Sequence, residues 1–165
     1  MIFGRRTIRP DGPDRFVIHL GTQERAVLRA VCQDLLSVLD DDEDSPSLKR
    51  LFPKAHAVDP RIDAAYQEMV HEDLLRSRKE ALAAVADSAE RPELDRDTLE
   101  QWMVGLNSVR LVLGTVLDVS EDEFPELSEL SEDDPMLPAW AVYDFLGGVV
   151  DAAVRALAET LPDLA

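Results

Sequence analysis

Residues 15–40 read RFVIHLGTQERAVLRAVCQDLLSVLD, and the change of rhythm at Gly21 decides the fold. Before it, Phe16, Ile18 and Leu20 alternate with Val17 and His19, the period of a half-buried strand. After it, Val27, Leu28, Val31, Leu35, Val38 and Leu39 recur at helical spacing on one face. Upstream, IFGRRTIR (2–9) reads as a second strand, and Pro10-Asp11-Gly12-Pro13 between the two is a strong turn signal. An antiparallel hairpin over residues 2–20 follows. Thr22 is the expected cap of the first helix, with Glu24 favourably placed in its first turn.

Downstream the helical period dominates. The run Asp40-Asp41-Asp42-Glu43-Asp44 before Ser45-Pro46 opposes the helix dipole and repels itself, so residues 40–47 read as an acidic loop. Leu48 to Phe52 suits one short helical turn. A second helix starts at Asp59-Pro60 and runs to about Ala86, with Ile62, Tyr66, Met69, Val70, Leu74, Leu82 and Val85 as its apolar stripe. For the third, Asp97 is the expected cap and Glu100 completes a capping-box pattern. Its apolar face is Leu99, Trp102, Met103, Leu106, Val109, Leu113, Val116 and Leu117. A second acidic loop covers 118–135. A fourth helix begins near Pro138, and its only polar stripe is Asp144, Asp151, Arg155 and Glu159. So narrow a stripe predicts burial at the bundle centre or a homodimer through this helix. The chain is thus expected to be mainly α: a single domain over 1–165, with an N-terminal β-hairpin packed on a four-helix bundle-like core spanning 22–161. Gly105, Gly114, Gly147 and Gly148 interrupt helical patterns at about 1 kcal/mol each relative to alanine, and close helix–helix approach is the simplest offset.

Charge narrows the function. The net charge is −17, from 17 basic and 34 acidic residues. Residues 1–30 hold six arginines against Asp11, Asp14 and Glu24, a balance of +3, which leaves −20 on residues 31–165. Phosphate backbones are bound by clustered Lys and Arg that displace counterions, so no direct nucleic-acid binding is expected. Two surfaces are candidates for a protein partner. One is the hairpin group Arg5, Arg6, Arg9 and Arg15; the other is Phe124, Leu127 and Leu130, set among the acidic residues of the second loop. Each could equally be a solvated surface. No signal-peptide core and no uncharged apolar run of about 18 residues is visible, which leads to the expectation of a cytoplasmic protein that is not membrane-bound.

Chemistry is sparse. His19, His56 and His71 lie on different elements, and no phosphate-binding loop, dinucleotide fingerprint or nucleophile elbow is present. No catalytic, cofactor-binding or metal-binding residue is assigned, and no cofactor is expected. Cys32 is the sole cysteine. It falls on the apolar face of the first helix, as a buried small hydrophobe or as a candidate redox thiol with Arg25 and Arg29 nearby. Asn107 and Arg110 interrupt the third helix. Either they lie at its solvent edge, or they form a buried polar network with Glu72 or Asp73 of the second, or they belong to a ligand or partner site.

Four segments carry a resemblance: the run Glu24 to Leu39, LKRLFP (48–53), LNSVRLVLGTVLDV (106–119) and YDFLGG (143–148). Through them the chain resembles the actinobacterial proteins of domain-of-unknown-function family 2017, which includes actinomycete oxidative-stress regulators. The resemblance implies a mostly helical cytoplasmic protein. It implies an ancillary transcription regulator that contacts a sigma factor or RNA polymerase rather than reading DNA alone, and it supplies no catalytic residues. Redox-sensing members are expected to use a cysteine pair, and with Cys32 alone an intramolecular disulfide is excluded here. The leading expectation is therefore a non-enzymatic regulator acting through protein–protein interaction. An adaptor or modulator of another cytoplasmic process, such as regulated proteolysis, is the alternative. A carboxylate- or metal-dependent enzyme is the third reading.

Overall fold

The structure, a computed structural model, describes residues 7–52, 60–119 and 127–162, with side chains from residue 64 onward in the second stretch. The first strand, β1 (Ile8–Pro10), pairs antiparallel with β2 (Arg15–Ile18) through Ile8–Ile18, Arg9–Val17 and Pro10–Phe16. Gly12 makes the turn between them with φ +102°, a conformation that glycine adopts without steric cost. The turn closes with Asp11 N–H donating to the Arg15 carbonyl.

Four helices follow. They are α1 (Thr22–Asp41), α2 (Pro60–Ser88), α3 (Arg96–Val116) and α4 (Leu137–Ala158), with 3-10 turns at Pro46–Leu48 and Leu127–Glu129. The expected hairpin on a mainly helical core is present. It has gained a third strand, β3 (Glu93–Asp95), between α2 and α3, which pairs with β2 to give the antiparallel order β1-β2-β3. Leu94 stands opposite Phe16, and both are buried.

Helix caps differ from the sequence expectation in a consistent way. Gly21, not Thr22, caps α1: its carbonyl accepts the first helical hydrogen bond from Arg25 N–H, and its own N–H donates to the Glu24 carboxylate at 2.7 Å. Asp95, not Asp97, caps α3, accepting from Thr98 N–H at 2.7 Å. That hydrogen bonding holds the Asp95 carboxyl below the usual range. The shift of the cap arises because β3 delivers an extended residue directly to the helix start.

At the centre lies α3, not α4. It packs against α1, α2, α4, β2, β3 and the turn at 46–48, while α4 packs on α3 and β1. Trp102, Leu99 and Leu106 of α3 are fully enclosed with Phe16, Leu28, Leu82, Val85 and Leu146. Phe145 and Val149 of α4 are buried, but Val154 is 49% exposed. The wide apolar circumference of α4 therefore reflects an outer face rich in small and aliphatic side chains rather than enclosure on all sides. Among the described residues α4 is the one helix long and apolar enough to cross a membrane, with mean hydropathy 1.3. A core helix passes the same test.

In α2 the expected stripe holds only in its second half. Leu82 and Val85 are buried, Val70 and Leu74 half-buried, and Tyr66 and Met69 exposed. Ile62 and Asp59, the expected cap, lie outside the described side chains. The α2–α3 seam is tight at Gly105. A Cβ there would meet the Ala81 carbonyl oxygen at 2.9 Å, the Ala81 carbonyl carbon at 3.1 Å and Val85 Cγ2 at 3.1 Å. Backbone cannot step aside as a flexible side chain can. Gly105→Ala gains about 1 kcal/mol of helix propensity, but overpacking costs about 1–3 kcal/mol or more. A net loss of stability is expected in urea denaturation, and a raised midpoint would show that the seam yields.

Candidate functional site

Three of the four segments singled out in the sequence meet in space around Tyr143. The first, LKRLFP, is fixed by Leu48 and Leu51, both buried at the 3-10 turn, which leaves Lys49 and Arg50 facing outward. The second contributes Arg110, Gly114 and the end of α3. The third contributes Tyr143 and Gly147 on α4.

The end of α3 is shaped by its backbone. Asp118 takes φ 52°, the left-handed region, and Val119 N–H returns to the Gly114 carbonyl at 2.9 Å while Asp118 N–H reaches that of Thr115. This is a Schellman closure with aspartate in the place glycine usually fills. It presents the Val119 carbonyl to Arg50, whose Nη2 donates to it at 2.8 Å. The Arg110 guanidinium lies over the Tyr143 ring with Cζ 4.9 Å from the centroid, and Trp140 meets the same ring edge-on at 6.1 Å. Two glycines leave the room. A Cβ at Gly147 would be 3.4–3.5 Å from the Arg110 guanidinium, and one at Gly114 would be 3.0 Å from Arg50 Nη1 and 3.5 Å from Tyr143 Cε2. Arg50, Tyr143 and Arg110 thus form one basic–aromatic cluster in an otherwise acidic chain. Arg110 Nε is buried with no hydrogen-bond partner.

The expected polar network of Glu72, Asp73, Asn107 and Arg110 does not form. Glu72, Asp73 and Asn107 are exposed, and Asp73 pairs with Arg76 at 2.7 Å on its own helix. The reason is rotation. The seam between α2 and α3 passes through Gly105 and Ser108, so Asn107 lies about 100° round from Ser108, on the solvent side. Ser108 makes the polar contact across the seam, accepting from Arg78 Nη1 at 2.9 Å. Desolvation lowers the Arg78 pKa, and its Nε is also buried without a partner.

Of the hairpin arginines, Arg15 is paired with Asp11 and lies 3.8 Å from Glu93, so its charge is locally compensated. Arg9 is exposed. Leu127 is 36% exposed and Leu130 half-buried. Arg5, Arg6 and Phe124 lie outside the described residues, as does His56. His71 packs on Phe52 at 4.4 Å between ring centroids and lies 3.6 Å from Glu43. Among the described residues no three His, Cys, Asp or Glu side chains lie close enough to hold a metal ion.

Cys32 is fully buried, and burial pushes its thiol up to about 12. The neighbouring arginines do not lower it. Arg29 pairs with Glu90 at 3.1 Å, and Arg25 is turned inward to backbone carbonyls. A thiol so placed is almost wholly protonated at neutral pH and closed to peroxide. Native protein at pH 8 should resist iodoacetamide and become fully alkylated once unfolded. Because the folded state holds this proton above the value of 9.0 typical of an open thiol, the unfolded state releases it first as pH rises. Stability is therefore lost between about pH 9 and 12, by less in Cys32→Ala than in the parent chain. Rapid native alkylation would overturn both expectations.

Residues 5–157 match the family described as "Domain of unknown function (DUF2017)". The chain belongs to the DUF2017 family. The match takes in the hairpin, all four helices and the Arg50–Tyr143–Arg110 cluster. No curated protein and no solved structure shows significant similarity.

Proposed function

We propose that this DUF2017 member is a non-enzymatic regulatory protein of the cytoplasm that works by binding another protein. Its role is that of an ancillary transcription regulator contacting a sigma factor or RNA polymerase. One observation carries the binding half of this reading. Along α2 no described residue from 64 to 80 is buried, and Tyr66 and Met69, three positions apart on one face, are 57% and 58% exposed. An exposed aromatic–methionine pair on a long helix is the type of surface a protein partner covers. The −20 carried by residues 31–165 favours a basic surface on that partner and disfavours DNA. The transcription half rests on the likeness to actinomycete oxidative-stress regulators.

The test is capture from native cytosol with tagged wild type and with Tyr66→Glu/Met69→Glu, read by mass spectrometry. A sigma factor or an RNA polymerase subunit should be enriched by wild type and lost, about tenfold or more, in the double variant, whose circular dichroism should be unchanged. Enrichment of a protease or unfoldase instead would favour an adaptor in regulated proteolysis. Equal capture by both proteins would remove α2 from the interface. A homodimer through α4 is a second reading, favoured by the exposure of Val154, 49%, and light scattering decides it.

A further inference from the structure

Charge pairing divides the described arginines into two groups. Arg15, Arg29, Arg76, Arg96 and Arg155 each have an Asp or Glu carboxylate within 4.0 Å, as expected where acids outnumber bases two to one. Arg9, Arg25, Arg50, Arg78, Arg91 and Arg110 have no such partner among the described residues, and of these Arg50 and Arg110 share one tyrosine ring as their neighbour. Arg110 carries five N–H donors, and the buried Nε is unsatisfied. An unmet buried donor costs about 1–3 kcal/mol, at Arg110 as at Arg78. A purely structural stack would be served as well by a neutral side chain of similar length, without the desolvation of a charge.

The geometry suits a ligand. The Arg110 guanidinium lies over the Tyr143 ring and beside Gly147, and Arg50 donates Nη2 to the Val119 carbonyl while its Nη1 packs against Gly114. A planar guanidinium carries parallel N–H groups that match the two oxygens of a carboxylate or phosphate. A second guanidinium beside the same ring supplies a further positive charge. We propose that Arg110 and Arg50, set around Tyr143, form an oxyanion-binding site that takes a carboxylate or phosphate group. The site does not depend on the identity of the protein partner. The net charge of −17 repels anions at long range, but at about 0.15 M ionic strength the screening length is about 8 Å, so the charges nearest the site dominate.

The experiment follows the arginine Nε–H resonances of the full chain by NMR while inorganic phosphate, acetate or chloride is added at constant ionic strength. The Arg110 signal should shift saturably with phosphate or acetate, about tenfold or more tighter than with chloride, and the tighter of the two names the source of the oxyanion. Arg110→Gln should remove saturation, monitored through Tyr143, and Arg50→Gln should weaken it severalfold. Arg9→Gln should leave it unchanged. Arg110→Lys, which keeps charge without the fork, should retain only weak binding and covers the case in which the glutamine variant does not fold. Shifts that are linear and equal for all three anions, or saturation that survives in Arg110→Gln, would overturn the proposal.

Discussion

Arg25→Met should lower the stability of the protein by about 3–5 kcal/mol, a large part of the roughly 5–15 kcal/mol available to a domain. Arg25 stands in the first turn of α1 and is 9% exposed. Its guanidinium donates to four carbonyls: Ile18 at the end of β2, Leu20 before the helix, and Ala89 and Arg91 just past α2. The last two lie where the α2 dipole gathers negative charge, so a cation there is favourable. One side chain therefore joins the sheet, the start of α1 and the end of α2. Methionine keeps most of the packing and removes every donor, leaving buried carbonyls that water reaches poorly. At about 2–4 °C per kcal/mol the melting temperature should fall by roughly 10 °C. Arg25→Lys should recover only a fraction, because a compact ammonium cannot span four acceptors. A loss under about 1 kcal/mol would mean that water replaces the guanidinium without penalty.

That residue also shows where sequence reading ends. Periodicity located α1 to α4 because each helix has an apolar face long enough for a pattern to repeat, and Cys32 fell on the buried side as its spacing from Leu28 and Leu35 predicted. The hairpin was legible from alternation and from Pro10-Asp11-Gly12-Pro13. β3 was not: in Glu93-Leu94-Asp95 a single apolar residue establishes no period, and the strand exists because β2 offers an edge to it. Both cap assignments slipped by one or two residues because the preceding extended residue, not the nearest good capping side chain, sets the helix start. Arg25 was visible only as a charge near a thiol. Its acceptors lie as far as 66 positions away in the chain, and nothing local encodes them.

The candidate site was legible in pieces. LKRLFP, LNSVRLVLGTVLDV and YDFLGG stood out as segments, and Arg110 as an intrusion on an apolar helix. Their convergence required the packing angles of α3 and α4. Assigning Arg110 to a network with Glu72 and Asp73 assumed that it faces α2, whereas a rotation of the seam by one residue turns it to Tyr143. Nothing in the sequence distinguishes Arg50, an exposed arginine beside a 3-10 turn, because its acceptor is created by the Schellman closure at Val119.

Trp102→Ala should cost about 3–5 kcal/mol, the range for truncating a large buried aromatic residue. Trp102 is wholly enclosed on the central helix, where α1, α2, α4 and the sheet all meet α3. The conservative variants separate packing from hydrogen bonding. Trp102 Nε1 donates to Ser88 Oγ at 2.8 Å, and Ser88 Oγ in turn donates to the Ala84 carbonyl at 2.5 Å. Trp102→Phe removes a donor and leaves Ser88 still bonded to Ala84, so beyond the lost volume its penalty should be small. Ser88→Ala deletes fewer atoms but strands the indole N–H where water cannot reach it, at about 1–3 kcal/mol. In Ser88→Ala/Trp102→Phe the stranded donor is gone. The double variant should therefore be less destabilised than the sum of the singles, by about 0.5–2 kcal/mol. Urea unfolding of all four proteins measures this coupling, and strict additivity would show that the hydrogen bond contributes nothing beyond packing.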